Sequence, residues 1–145
     1  MVANGVVMSK LSYLINLWGR DQQYLLNAIQ IQQLAAARAV CGFGCSRWSK
    51  RNFLEKLGWL PVRQLVFYHS VQESLYQALS IDYPRQTRNA AHGQIRQDES
   101  FSSQATFKYR AMKFFNSVPQ DVRIGSTVTV KRKLKQWIKT NIPID

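Results

Sequence analysis

Apolar residues recur along this chain at helical spacing, and glycines, prolines and short polar side chains divide the pattern into segments. Val2 to Trp18 is apolar, broken by Asn4-Gly5 and stopped at Gly19. Asp21 is placed to cap a long helix from Gln22 to Val40. Within it Leu25, Ile29, Ala36 and Val40 form one stripe, and Tyr24, Ala28, Ile31, Ala35 and Ala39 form a second, which predicts packing against two neighbours. Ala35-Ala36-Ala37 has high helix propensity and permits close approach, and Gly42 and Gly44 end the segment. Ser49 is a candidate N-cap for a short helix carrying Phe53, Leu54 and Leu57 and closed by Gly58. Pro61 suits the first turn of the next helix, which runs to about Leu79. That helix is apolar around most of its circumference (Val62, Leu65, Val66, Phe67, Tyr68, Val71, Leu75, Tyr76, Leu79) and is expected at the centre of the core.

The character changes from Ser80 to about Ser103, where Pro84, Gly93 and several Gln and Asn replace aliphatic residues, so this reads as a long polar connection. A short helix follows from Phe107 to Asn116, stopped by Pro119. Ser126 or Thr127 then caps a final helix to about Asn141, ended by Pro143. The β-branched run Thr127-Val128-Thr129-Val130 is equally compatible with a strand. The expected fold is an all-α bundle of about five to six helices. Its organisation is a helical segment at 1–79, a polar connection at 80–106 and a basic helical tail at 107–145.

Charge changes the picture. Twenty Lys and Arg face eight Asp and Glu, a net charge of +12, and the isoelectric point is near 10.2. Such a balance points to polyanions, nucleic acid first and an anionic membrane second. The longest apolar runs, such as Leu65-Val66-Phe67-Tyr68, are too short to span a bilayer. The opening MVANGVVMSK lacks the charged region of a signal peptide, and two cysteines make no disulfide framework, so an intracellular compartment is expected.

The last helix carries the clearest charge signal. At about 100° per residue, Val130, Leu134 and Trp137 share a stripe with Ile138 flanking, while Arg132, Lys135 and Lys139 lie opposite and Lys131 and Lys133 lie between. Between Lys108 and Lys139 nine basic residues meet one acid, Asp121, a net +8 that favours salt-dependent phosphate binding. The candidate nucleic-acid contacts are therefore Arg88, Lys108, Arg110, Lys113, Lys131, Arg132, Lys133, Lys135 and Lys139. Phe107, Tyr109, Phe114, Phe115 and Trp137 interleave with them and either stack bases or fill the core. Arg85, Arg88 and Arg96 in the polar connection either reach phosphates or are solvated.

Catalytic chemistry finds little support. Cys41 and Cys45 are spaced CxxxC, and His69 and His92 complete a poor ligand set for zinc. Neither GxxxxGK[ST] nor GxGxxG occurs, and the acids are scattered apart from Asp98-Glu99. No metal, cofactor, small-molecule substrate or catalytic residue is expected.

Several phrases together carry a resemblance. They are NGVVMSKLSYLINLWG at 4–19, QIQQLAAARAVCG at 30–42 and LEKLGWLPVRQLVFYHSVQESLYQAL at 54–79, then FKYRAMKFFNSVP at 107–119 and VKRKLKQWI at 130–138, with Thr87-Arg88 in the connection. In this order and spacing the chain resembles the thumb and post-polymerase tail of non-LTR (LINE-type, jockey-like) retrotransposon reverse transcriptases. Phe115 stands where the family usually has Trp, and Val130 where it usually has Phe. The aromatic-Ala-Asp-Asp motif of the family's palm, which holds two metal ions, does not occur. The resemblance thus implies a non-catalytic fragment of an RNA-directed DNA polymerase that grips RNA or DNA through its basic helix. It also implies a missing polymerase core as a further partner and a nuclear location. A degenerate remnant without independent activity is the alternative. Membrane-surface binding through the basic helix is the least favoured reading.

Overall fold

Caps and breakers set the helix boundaries. The computed structural model describes residues 4–13, 15, 23–42, 48–80 and 107–143. A π-helical turn at Asn4–Met8 leads into α1 (Ser9–Ser12), followed by α2 (Gln23–Cys41), α3 (Lys50–Leu57) and α4 (Val62–Ser80). After the polar connection come α5 (Phe107–Ser117), α6 (Gln120–Arg123) and α7 (Thr127–Asn141), and no strand occurs among the described residues. The fold is all-α. Asp21, Trp18, Gly19, Gly44, Cys45 and all of 81–106, including Arg85, Arg88, Arg96, His92 and Asp98-Glu99, lie outside the described residues.

Ser49 caps α3, its Oγ accepting the Asn52 N–H. Gly58, at φ 67°, closes that helix by donating its N–H to the Glu55 carbonyl, and the Trp59 N–H reaches the Leu54 carbonyl. Such a left-handed closure strongly favours glycine. The ambiguous run at 127–130 is helical: Ser126 Oγ accepts the Thr129 N–H at 3.3 Å, its carbonyl accepts the Val130 N–H at 2.9 Å, and helical register buries Val130. Burial of that side chain outweighs the modest β preference of Thr and Val.

The chain's contacts separate two compact units, Met1–Val66 with Ile144–Asp145, and Phe67–Pro143. The division falls inside α4. In the first unit Leu34 and Ala37 of α2 pack with Phe53 and Leu54 of α3 and with Trp59. In the second, Phe67 of α4 lies 4.7 Å from the Phe114 ring and 5.9 Å from the Trp137 ring, between centroids, so α5 and α7 both pack on α4. Ala111, Met112, Phe115, Val118, Val122, Val130, Leu134 and Ile138 are buried with it. Ser70 and Ser74 are also buried on α4, and their hydroxyls have no hydrogen-bond partner.

The two-stripe expectation for α2 is corrected. Tyr24 is 81% exposed and Ile31 64%, Ala35 and Ala39 are exposed with them, and Leu25 and Val40 at the ends of the other stripe are exposed too. The face that packs instead carries Leu26, Gln30, Gln33, Leu34, Ala37 and Cys41. Gln33, fully buried, donates from Nε2 to the Leu60 carbonyl at 2.8 Å and accepts from Gln30 Nε2 at 2.9 Å. Gln30 Oε1 in turn accepts the Val62 N–H at 2.8 Å. The pair thus satisfies the backbone on both sides of Pro61, including an N–H of the first turn of α4 that has no intrahelical partner. A scan for apolar spacing passes over this face because its two central residues are amides.

Candidate nucleic-acid interface

The final helix is anchored by a row at i, i+4, i+8. Leu134 and Ile138 are fully buried and Val130 nearly so. Trp137 flanks this row, half-buried against Phe67, so it and Ile138 exchange the places expected from the sequence. Fixing that row turns Arg132, Lys135 and Lys139 outward, where all three are exposed, with exposed Val128 beside them. With half-buried Lys131 at the edge, these four cations occupy an arc of about 100°. They extend along about 12 Å of helix axis. At one charge per about 3.4 Å of a strand, that length matches three to four phosphates.

The cations differ in their surroundings. Lys135 Nζ sits 5.6 Å from the Tyr68 ring centroid, a cation–π contact that orients it. Lys133 points the other way and donates from Nζ to the Asp121 carbonyl of α6 at 2.9 Å, so it tethers α6 to α7. Among the described residues no ion pair engages Lys113, Lys131, Arg132, Lys133, Lys135 or Lys139; the ion pair seen is Arg51–Glu55. Lys113 is exposed on the side of α5 away from Ala111, Phe115 and Val118, and Arg110 is half-buried and engaged. The Lys108 side chain and all of Arg88 lie outside the described residues.

The interleaved aromatics serve mainly the core. Phe115 is buried, with the Arg123 guanidinium 4.7 Å from its ring centroid, and Phe114 and Trp137 pack on Phe67. Phe115 and Val130, the positions that depart from the resembled pattern, are both buried.

A small cavity of about 90 Å³ opens beside the first turn of α7. It is lined by Gln72 and Leu75 of α4, Arg123 of α6, Gly125, and Thr127, Val130 and Lys131 of α7. Arg123 was legible only as one of nine basic residues; nothing local in the sequence separated it from the solvated ones. Among the described residues no group of three His, Cys, Asp or Glu could hold a metal ion.

His69 stands next to this surface, edge-on to Tyr68 at 5.5 Å between centroids. Burial, and secondarily the charge of Lys135, hold its pKa below the ordinary value. The unfolded chain therefore takes up the proton first as pH falls. The stability contributed by neutral His69 is complete above about pH 6.5 and declines below it towards the folded-state value. Urea midpoints measured from pH 7.5 to 5 should fall with acidification, and His69→Gln should flatten that dependence. An unchanged slope in the variant would assign the pH effect to other groups.

Comparison with family models, with curated proteins and with solved structures gives no match for this chain.

Proposed function

We propose that this chain is the non-catalytic, nucleic-acid-binding helical region of a non-LTR retrotransposon RNA-directed DNA polymerase, gripping RNA or DNA through the outward face of α7. The ordered sequence resemblance motivates the family. What supports the grip is one observation: Arg132, Lys135 and Lys139 stand exposed on α7, turned away from Val130 and Leu134, and no ion pair engages them among the described residues. Cations so arranged lose little on meeting phosphates, because among the described residues no paired carboxylate has to be displaced. The apolar row of α7 is engaged in the protein interior, which leaves the helix little to insert into a membrane surface. No helix among the described residues is long and apolar enough to cross a membrane.

Fluorescence anisotropy with labelled RNA, DNA and RNA–DNA duplexes tests the reading. Log affinity should fall linearly with log salt between about 50 and 200 mM, with little dependence on base sequence. Absence of binding at the low end, or binding indifferent to salt, would remove the proposal.

The exposed Tyr24 and Ile31 on α2 favour a second reading, a structural remnant whose α2 belongs against another part of a larger protein. That reading predicts dye binding by exposed apolar surface and self-association. A monomer with a sharp thermal transition and no dye binding speaks against it.

A further inference from the structure

We propose that the cavity between α4, α6 and the first turn of α7 is a phosphate-binding pocket, holding one phosphate group between Arg123 and Lys131. This rests on the polynucleotide reading only for the source of the phosphate; Lys131 is shared with the edge of the α7 ridge, whereas Arg123 belongs to the pocket alone.

Three observations carry it. The cavity is small, about 90 Å³, and partly open to solvent, which leaves room for a tetrahedral oxyanion. Two cationic side chains from different helices line it, together with Gln72 and Thr127. Lys131 is half-buried there, and no hydrogen bond or ion pair engages it among the described residues. Burial pushes the Arg123 guanidinium below its ordinary pKa, and an anion bound beside it would favour its charged form. The Arg123 guanidinium also lies 4.7 Å from the Phe115 ring centroid, a cation–π contact. Phosphate suits this site because the lining cations come from two helices and approach from different directions.

The pocket differs in kind from the ridge. Ridge cations meet phosphates in solvent and set no register, whereas a phosphate seated in the pocket fixes one point of a strand or its terminal phosphate relative to α7.

Inorganic phosphate is the probe, compared with chloride at matched ionic strength. Phosphate should raise the thermal midpoint and shift the amide resonances of Gly125, Thr127 and Lys131 in a saturable way. Lys131→Gln, a half-exposed position, should weaken phosphate affinity about tenfold or more, and Arg123→Lys should weaken it while keeping the charge. Lys50→Gln, an exposed cation of the other unit, should leave it unchanged. Equal effects of phosphate and chloride, or an equal loss in Lys50→Gln, would overturn the pocket. Duplex binding is then measured on the same proteins, comparing duplexes with and without a 5′-phosphate. Phosphate binding without duplex binding leaves the pocket standing and removes the polynucleotide reading. Duplex binding without a specific phosphate effect does the reverse. A 5′-phosphate preference lost in Lys131→Gln supports a terminal phosphate as occupant, and loss of affinity regardless of the end supports an internal one.

Discussion

Replacing Arg132, Lys135 and Lys139 together by Gln should reduce the slope of log affinity against log salt by about 2.7 for duplex DNA, the release of about three counterions. Over a fourfold rise in salt the native protein would then lose about fortyfold more affinity than the variant. The variant should bind weakly throughout and depend less on salt. Folding should survive. The pairs Arg132–Lys135 and Lys135–Lys139 are like charges on one helix face, each costing about 0.2–0.5 kcal/mol. Against that relief stands the Lys135–Tyr68 contact, worth about 0.5–1 kcal/mol at such a site. The two nearly cancel, so the thermal midpoint should move by only a few degrees, and lost binding would not reflect lost structure. Lys10→Gln with Lys50→Gln removes exposed charges from the other unit and should leave most of the slope in place. A triple variant with the native slope would move the contact surface away from α7.

Gln33→Leu should destabilise the protein by about 2–4 kcal/mol, although leucine is apolar and similar in volume. The substitution leaves the Leu60 carbonyl and the Gln30 amide without the partners Gln33 provides. Each buried polar group so stranded costs about 1–3 kcal/mol. Retained packing limits the total by avoiding a cavity. Urea unfolding measures the loss, and hydrogen exchange at the Val62 amide locates it, because Gln30 Oε1 accepts that N–H and is itself held by Gln33. A loss under about 1 kcal/mol with unchanged exchange would mean that the amide pair contributes little to the start of α4.

These two sites differ in how far the sequence reveals them. The α7 ridge is legible because it depends on a local rule: residues four apart share a face, and Arg132, Lys135 and Lys139 must oppose Val130 and Leu134 whatever the neighbours are. Which cations stay unencumbered is not legible, since the turning of Lys133 to the Asp121 carbonyl depends on where α6 lies. The pocket was likewise hidden, as its lining joins residues from 72 to 131 along the chain.

Several helix starts and stops belong to the sequence alone, the start of α4, held by Gln30, excepted. Ser49, Gly58, Ser126 and Pro143 act on backbone groups a few residues away, so their effect needs no tertiary partner. The basic character of the tail belongs there too. Only the tertiary structure decided which side of α2 is buried, because two apolar stripes competed with a face centred on Gln30 and Gln33. An amide's place is set by whether backbone groups wait for it, and here the Leu60 carbonyl and the Val62 N–H, both beside Pro61, drew that face inward.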